Sequence, residues 1–287
     1  MYVFSSDDFK QIEAIIDLAL HEDIRSGDIT TEAVYYDNEK ASATFVAKQA
    51  GVVAGLEVVQ MVAGAVNEEI ELNWNVEDGD WVSPGQTIGT LKGPAGALLV
   101  AERTMLNFFQ RMSGIATAVR EFVDLVEHTE AHILDTRKTA PGHRVTDKWA
   151  VAIGGGENHR FGLYDRYLIK ENHIRVAGSI EKALKMCISH REINELDDLE
   201  IEIEVTNLDE LREALEYQDV DYIMLDNMSI ADMKQAVEIA DGRVMLEASG
   251  NVSKESIVKI AETGVDFISI GSITHSVTAM DISLLFD

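Results

Sequence analysis

A chain of 287 residues, 46% of them apolar, is long enough to bury a full hydrophobic core in one large domain or two ordinary ones, which excludes a marginal mini-protein. Its formal net charge of -27 repels phosphate backbones and anionic lipid headgroups, so neither nucleic acid nor a membrane surface is expected as the main partner. The single cysteine, Cys187, cannot form an internal disulfide; it lies in an amphipathic run and reads as a packed, inert thiol in a reducing compartment. The start of the chain, MYVFSSDDFKQ, lacks the basic segment and apolar core of a signal peptide, and the longest apolar stretch (51–66) is broken by Glu57 and Gln60. A cytoplasmic protein is the expectation.

In chain order, Ser6 precedes Phe9, Ile12, Ile15, Ile16 and Ala19 at spacings of three and four, which predicts an amphipathic helix over 7–20. From Ala41 to Leu98 short apolar alternations punctuated by Gly51, Gly79, Pro84, Gly85, Gly93 and Pro94 predict a small antiparallel β unit. Within it NVEDGDWVSPGQTIGTL (75–91) has the look of a lipoyl-carrier hairpin, but no lysine sits at a tight turn, so the reading is structural. Residues 101–128 are helical in pattern. Strand-like runs then recur at 131–135, 165–170, 200–205, 221–225, 243–247 and 266–270, mostly separated by helical stretches. The later starts are 21 to 23 residues apart, as parallel βα units with short loops require. The fold expected is α/β: an N-terminal α/β sandwich domain (1–112), to which a tail (276–287) returns, followed by an open, incomplete parallel α/β barrel of about six strands (113–275). HREINELDD (190–198) reads as a charged loop.

Parallel α/β folds place their working residues at the carboxyl ends of the strands, and here those ends are charged. Arg137 and Lys138 follow the first barrel strand and Lys170 ends the second; Glu202 and Glu204 lie within the third, and Asp226 and Asn227 follow the fourth. Glu247, Ser249 and Gly250 come with the fifth, and Gly271 and Ser272 after the sixth. Alternating glutamates in an otherwise apolar strand need either a bound cation or a wet edge, and both readings stay open for Glu204. Asp226, at the barrel mouth, suits magnesium, which takes one or two carboxylates together with substrate phosphates. Residues 135–175 hold eight Lys or Arg against five Asp or Glu, in a strongly acidic chain. They flank Gly154, Gly155 and Gly156, glycines that let a backbone approach a ligand, so an anionic small molecule is the sharper reading and a solvated charged face the plainer one. Arg137 and Arg160 can each hold a carboxylate or phosphate with two hydrogen bonds. Gly250 and Gly271 precede helices, where backbone N–H groups receive phosphate. His159 and His275 lie beside these loops and read equally as packed or functional.

The strings DTRKTAPG (135–142), GGGENHRFGLYDRYLIKENHI (154–174), IEIEV (201–205), MLDNM (224–228), LEASG (246–250) and ISIGSITHSVTAMDISL (268–284) resemble quinolinate phosphoribosyltransferase, the carboxylating nicotinate-nucleotide pyrophosphorylase. The likeness extends to EDIRSGDITT (22–31) and AERTMLNFFQRMSGIAT (101–117) and covers nearly the whole chain. It implies an enzyme that transfers phosphoribosyl from phosphoribosyl pyrophosphate to quinolinate with decarboxylation, using Mg2+, in a homodimer where Arg103 reaches across the interface. Arg137, His159, Arg160 and Lys170 would surround quinolinate, with Lys138 between the two substrates. Glu204 and Asp226 would hold magnesium and the ribose hydroxyls, and Ser249, Gly250, Gly271, Ser272 and His275 would lie near the 5′-phosphate. Lys138, Lys170, Glu204 and Asp226 form the implied catalytic set.

Three positions depart from the family pattern: Ala140 for threonine, Glu171 for aspartate and Asn251 for glycine, the last in the phosphate loop. Relatives on the same scaffold use nicotinate or belong to a molybdenum-transport-associated paralogue. Two other readings compete: a Schiff-base aldolase-type barrel using Lys170 as its amine, and a catalytically silent binding protein that keeps the fold.

Overall fold

The protein is described here from a computed structural model covering residues 5–35 and 39–287; the first four residues of the leader reading lie outside the described residues. The elements in chain order are α1 (Ser6–Ile24), α2 (Ile29–Val34), β1 (Lys40–Ala47), β2 (Gly51–Val52), α3 (Leu56–Val66), β3 (Glu71–Trp74), β4 (Trp81–Val82), β5 (Thr87–Pro94) and α4 (Ala95–Val126). There follow β6 (His132–Leu134), α5 (Arg144–Ile153), β7 (Tyr167–Ile169), α6 (Glu171–Ala177), α7 (Ile180–Ile193), β8 (Ile201–Val205) and α8 (Leu208–Ala214). The chain closes with β9 (Tyr222–Asp226), α9 (Ile230–Ala240), β10 (Met245–Ser249), α10 (Ile257–Ala261), β11 (Phe267–Ser269), α11 (Ser272–His275) and β12 (Ile282–Phe286). Contacts divide it into two compact units: one of residues up to Arg120 with Thr139–Gly155 and Ser272–Asp287, the other of Glu121–Lys138 with Gly156–Gly271. Among the described residues no helix is long and apolar enough to cross a membrane.

In the first unit, α1 starts one residue earlier than the pattern predicts. Ser5 forms the cap, accepting from the Asp8 N–H while the Asp8 carboxylate accepts from the Ser5 N–H at 2.8 Å, and Ile12, Ile16 and Leu20 form the buried stripe. An antiparallel sheet runs β12-β1-β5-β3, with Phe45 of β1 opposite Leu284 of β12. Phe45, fully buried, packs on Trp74 and Phe109 with ring centroids 5.4 and 5.7 Å away. The 41–98 stretch is not all β: Leu56–Val66 is a helix whose buried Val58, Val59, Val62 and Ala63 share one face at helical spacing. Asp78 caps it, accepting from the N–H groups of Gly55 and Leu56 at 2.8 and 3.2 Å. In the same unit Arg111 clasps the fully buried Asp147 of α5 through two 2.8 Å bonds. Gly154 also belongs to packing and not to a ligand, because a Cβ there would stand 2.6 Å from the Ala116 carbonyl of α4.

The second unit is the open barrel. Its six strands are all parallel in the order β6-β11-β10-β9-β8-β7, which is the chain order closed into a ring and cut between β6 and β7. The free edge of β6 is extended by the segment after Gly156, since Glu157 exchanges backbone hydrogen bonds with Ile133 and Asp135 at 2.8 and 3.1 Å. The first four residues of the predicted 190–198 loop form the last turn of α7, whose apolar face includes Ile180, Ala183 and Leu184.

Candidate active site

Residues two apart on a strand share a face, and the barrel strands consequently stack polar side chains in levels. At the lowest, Arg166 lies 4.2 Å from the Tyr222 ring centroid and pairs with Glu200, with Phe267 stacked against Tyr222 and His132. The next level holds Glu202 and Glu247, both fully buried, with His159 at 5% exposure. The uppermost, at the carboxyl ends, holds Lys170, Glu204 and Asp226, none of them fully buried.

Lys170 is the residue from which α6 departs, and its ammonium pairs with the Glu204 carboxylate. Glu204 lies beside Met224 of β9, so Asp226, two residues further along β9, stands at the mouth next to it. Asn227 adopts a left-handed backbone (φ 54°) and donates its N–H to the Ser249 carbonyl at 2.9 Å. Gly250 follows at φ 101°, where a Cβ would collide with the Asn227 side chain. Asn251 also adopts φ 49°, a conformation asparagine tolerates, and its amide donates to Asn227 Oδ1 at 3.3 Å. The departure at position 251 is therefore absorbed within the loop. Gly271 follows β11; Ser272 and His275 begin and end α11, with His275 exposed.

After β6 come Arg137 and the exposed Lys138, whose N–H donates to Thr136 Oγ1. Arg160 is 8% exposed, donates through Nη1 to the Arg166 carbonyl at 3.1 Å, and has a buried Nε with no partner. Burial, and then repulsion from Arg137, pull the Arg160 guanidinium below the ordinary arginine range. Two guanidiniums crowded in a partly dry site are relieved by a doubly negative ligand. Arg103 is exposed on α4 in the other unit.

Several residues that shape the site were not assigned roles from sequence. Asp135, fully buried, accepts from Asn158 Nδ2 at 2.7 Å and from the His159 N–H at 2.9 Å, fixing the segment that carries Arg160. Arg166 bridges Glu200 and Glu202. The available signal was acids inside apolar strand runs, ILD, IEIEV and MLEAS, but it does not separate a scaffold acid from a working one. A cavity of about 750 Å3 lies along β7, bordered by Leu163, Tyr164, Val176, Met186 and Leu199, with Arg160 and Arg166 at its wall. Its walls are mainly apolar and suit no phosphorylated sugar.

Residues 28–113 match the model of the quinolinate phosphoribosyl transferase N-terminal domain, and residues 115–285 that of its C-terminal domain. The chain belongs to the quinolinate phosphoribosyltransferase family. It is 45% identical to quinolinate phosphoribosyltransferase [decarboxylating] 2, mitochondrial, of Nicotiana glauca, over 96% of this chain and 82% of that one. It is 39% identical to the probable nicotinate-nucleotide pyrophosphorylase [carboxylating] of Bacillus subtilis, over 96% and 93%. Among solved structures, the nicotinate-nucleotide pyrophosphorylase of Francisella tularensis superposes with a TM-score of 0.89 at 41% identity, over 97% of this chain and 96% of that one. The family fold, an N-terminal α/β unit and an open six-stranded parallel barrel, is the one expected from sequence.

Proposed function

We propose that this chain transfers the phosphoribosyl group of phosphoribosyl pyrophosphate to quinolinate and releases carbon dioxide and pyrophosphate, giving nicotinate mononucleotide for de novo NAD synthesis. What supports the reading is the family match together with Arg137 and Arg160, two cations near enough for repulsion to help pull the Arg160 guanidinium below its ordinary range, a charge excess that a dicarboxylate would relieve. Lys170 adds a third cation, and Lys138 stands between the two substrates.

The pyridine nitrogen attacks the anomeric carbon as its bond to pyrophosphate breaks, and positive charge develops on the ribose. Glu204 and Asp226 face that charge. Once the ring nitrogen is cationic, the bond from C2 to its carboxylate breaks, the electron pair stays on C2 beside the cationic nitrogen, and a proton then replaces the lost group. Arg137 and Arg160 hold the carboxylates while this happens, and Ser249, Gly250, Gly271, Ser272 and His275 are assigned to the 5′-phosphate. Glu204 and Asp226 offer only oxygen, from adjacent strand ends, and so fit magnesium, which needs one or two carboxylates with phosphate oxygens completing its shell. Glu204 and Asp226 would hold it where its charge would neutralise the leaving pyrophosphate. No organic cofactor is needed. The pairing of the Lys170 ammonium with Glu204 disfavours the Schiff-base reading, which requires an unengaged amine.

The proposal includes a homodimer in which Arg103 reaches the dicarboxylate bound by the partner subunit, and a cytoplasmic setting, supported by a lone cysteine with no disulfide partner. Incubation with quinolinate, phosphoribosyl pyrophosphate and Mg2+ should yield nicotinate mononucleotide, with none formed from nicotinate and the rate from quinolinate lowered about a thousandfold in Lys170→Ala. Product from nicotinate alone, or none from either, overturns the assignment.

A further inference from the structure

Beneath Arg160 lies a cluster with the composition of a metal site. One ligand atom from each of His159, Glu202 and Glu247 lies within 4.8 Å of the others, and all three residues are buried. His159 Nε2 is 3.0 Å from Glu202 Oε2 and 3.5 Å from Glu247 Oε2. The other ring nitrogen decides the chemistry. His159 Nδ1 accepts the Arg160 backbone N–H at 2.7 Å, so the ring proton resides on Nε2 and points at the carboxylates. A neutral imidazole bound to a metal through Nε2 would instead carry its proton on Nδ1, against that N–H.

The charges then have to be reconciled without a cation in the cluster. Arg166 Nη1 lies 3.4 Å from Glu202 Oε2, while Nη2 of the same guanidinium pairs with Glu200. No lysine or arginine among the described residues forms an ion pair with Glu247, whose only nearby donors are the Ser269 hydroxyl and His159 Nε2 at 3.5 Å, and Glu202 Oε1 is buried without a hydrogen-bond partner. An ionised carboxylate at zero exposure, beside a second carboxylate and with no cation of its own, is strongly disfavoured even with one hydroxyl donor. A proton on Glu247 supplies the missing donor, and the unpartnered Glu202 oxygen is the available acceptor. In agreement, burial first and the neighbouring Glu202 charge second push the Glu247 carboxyl well above the usual carboxylate range.

We infer that Glu247 is a neutral carboxylic acid which, hydrogen-bonded to Glu202, fixes the His159 ring beneath the Arg160 backbone, making Glu247 and His159 positioning residues for the guanidinium that receives an acceptor carboxylate. The positioning half of this rests on the function proposed above; the protonation half does not. Both ring nitrogens of His159 face protein groups, so its effect on the acceptor passes through Arg160, with Asp135 fixing the same turn from the other side.

The test compares Glu247→Gln, Glu247→Ala and Glu202→Gln in the full chain. Glutamine reproduces a neutral acid that donates from one atom and accepts at the other, so Glu247→Gln should keep the quinolinate KM within about threefold, while Glu247→Ala and Glu202→Gln should raise it about tenfold or more with a smaller change in kcat. Because a poorly folded variant could raise KM for other reasons, infrared difference spectra of wild type minus Glu247→Gln, recorded without substrate, read the proton directly. A carboxylic-acid C=O band present in wild type and absent in Glu247→Gln is expected. An ionised-carboxylate band lost in its place, or a transition metal retained by purified wild type and lost from Glu247→Gln, would overturn the protonation. A KM unchanged in Glu247→Ala would overturn the positioning role even with the band present. Absence of any turnover in wild type would defeat the proposed function, and with it the positioning role, while leaving the infrared result to stand on its own.

Discussion

Glu202 and Glu204 stand two residues apart on the same face of β8, yet the first is fully buried between Arg166 and His159 and the second, 15% exposed, pairs with Lys170 at the mouth. The same contrast separates Glu247, buried within β10, from Asp226, half-exposed at the end of β9. Residue type is constant between the two levels and depth is not. A carboxylate at the mouth can be reached by water, metal and phosphate; one a level lower can only meet its neighbours, and every unsatisfied oxygen there is a cost to the fold. On the function proposed above, chemistry belongs to the mouth and support to the level beneath.

The largest expected effect comes from removing a charge at the mouth. Lys170→Ala should lower kcat/KM by about a thousandfold, or ~4 kcal/mol of transition-state stabilisation, while the thermal midpoint stays near wild type. A midpoint that collapses with activity would place Lys170 among the supports. Asp226→Asn should cost about a hundredfold, seen chiefly as weaker use of phosphoribosyl pyrophosphate and a higher Mg2+ requirement in steady-state titrations. A support residue should behave in the opposite way: Arg111→Ala leaves the buried Asp147 unpaired and should destabilise the protein by about 3–5 kcal/mol in chemical denaturation.

Much of this was legible before any coordinates. The spacing of the strand runs gave the parallel barrel because helical crossovers leave a period, and each predicted run overlaps an observed strand, with ends that agree to within two residues. Helix α3 was hidden because its glycine-flanked apolar run, GVVAGLEVVQ, reads equally well as strand. The places of Lys170, Glu204 and Asp226 at strand ends were legible in the sequence, and the structure puts them there. The roles of Asp135, Arg166 and Glu247 were not, because depth along a strand depends on how strands are staggered, and one chain's sequence does not carry that register. Asn251 shows the same limit: its left-handed backbone and its bond to Asn227 follow from the loop's geometry and not from its neighbours in sequence.

Smaller effects sharpen the boundary between the levels. Arg160→Lys keeps the charge but loses the planar fork, so the quinolinate KM should rise about tenfold with little change for phosphoribosyl pyrophosphate. Asn251→Gly should change kcat/KM by less than about twofold, since glycine adopts the same left-handed backbone freely and the lost amide bond is long and exposed.

The most direct test sets the two glutamates of β8 against each other, measuring phosphoribosyl pyrophosphate binding in the presence of Mg2+ and the thermal midpoint for Glu204→Gln and Glu202→Gln. The layered account predicts a Kd raised about a hundredfold at an unchanged midpoint for Glu204→Gln. For Glu202→Gln it predicts a Kd within about threefold of wild type and a midpoint lowered by several degrees. Variants that lose binding and stability together, or a Glu204→Gln protein that binds normally, would contradict the division between mouth and support.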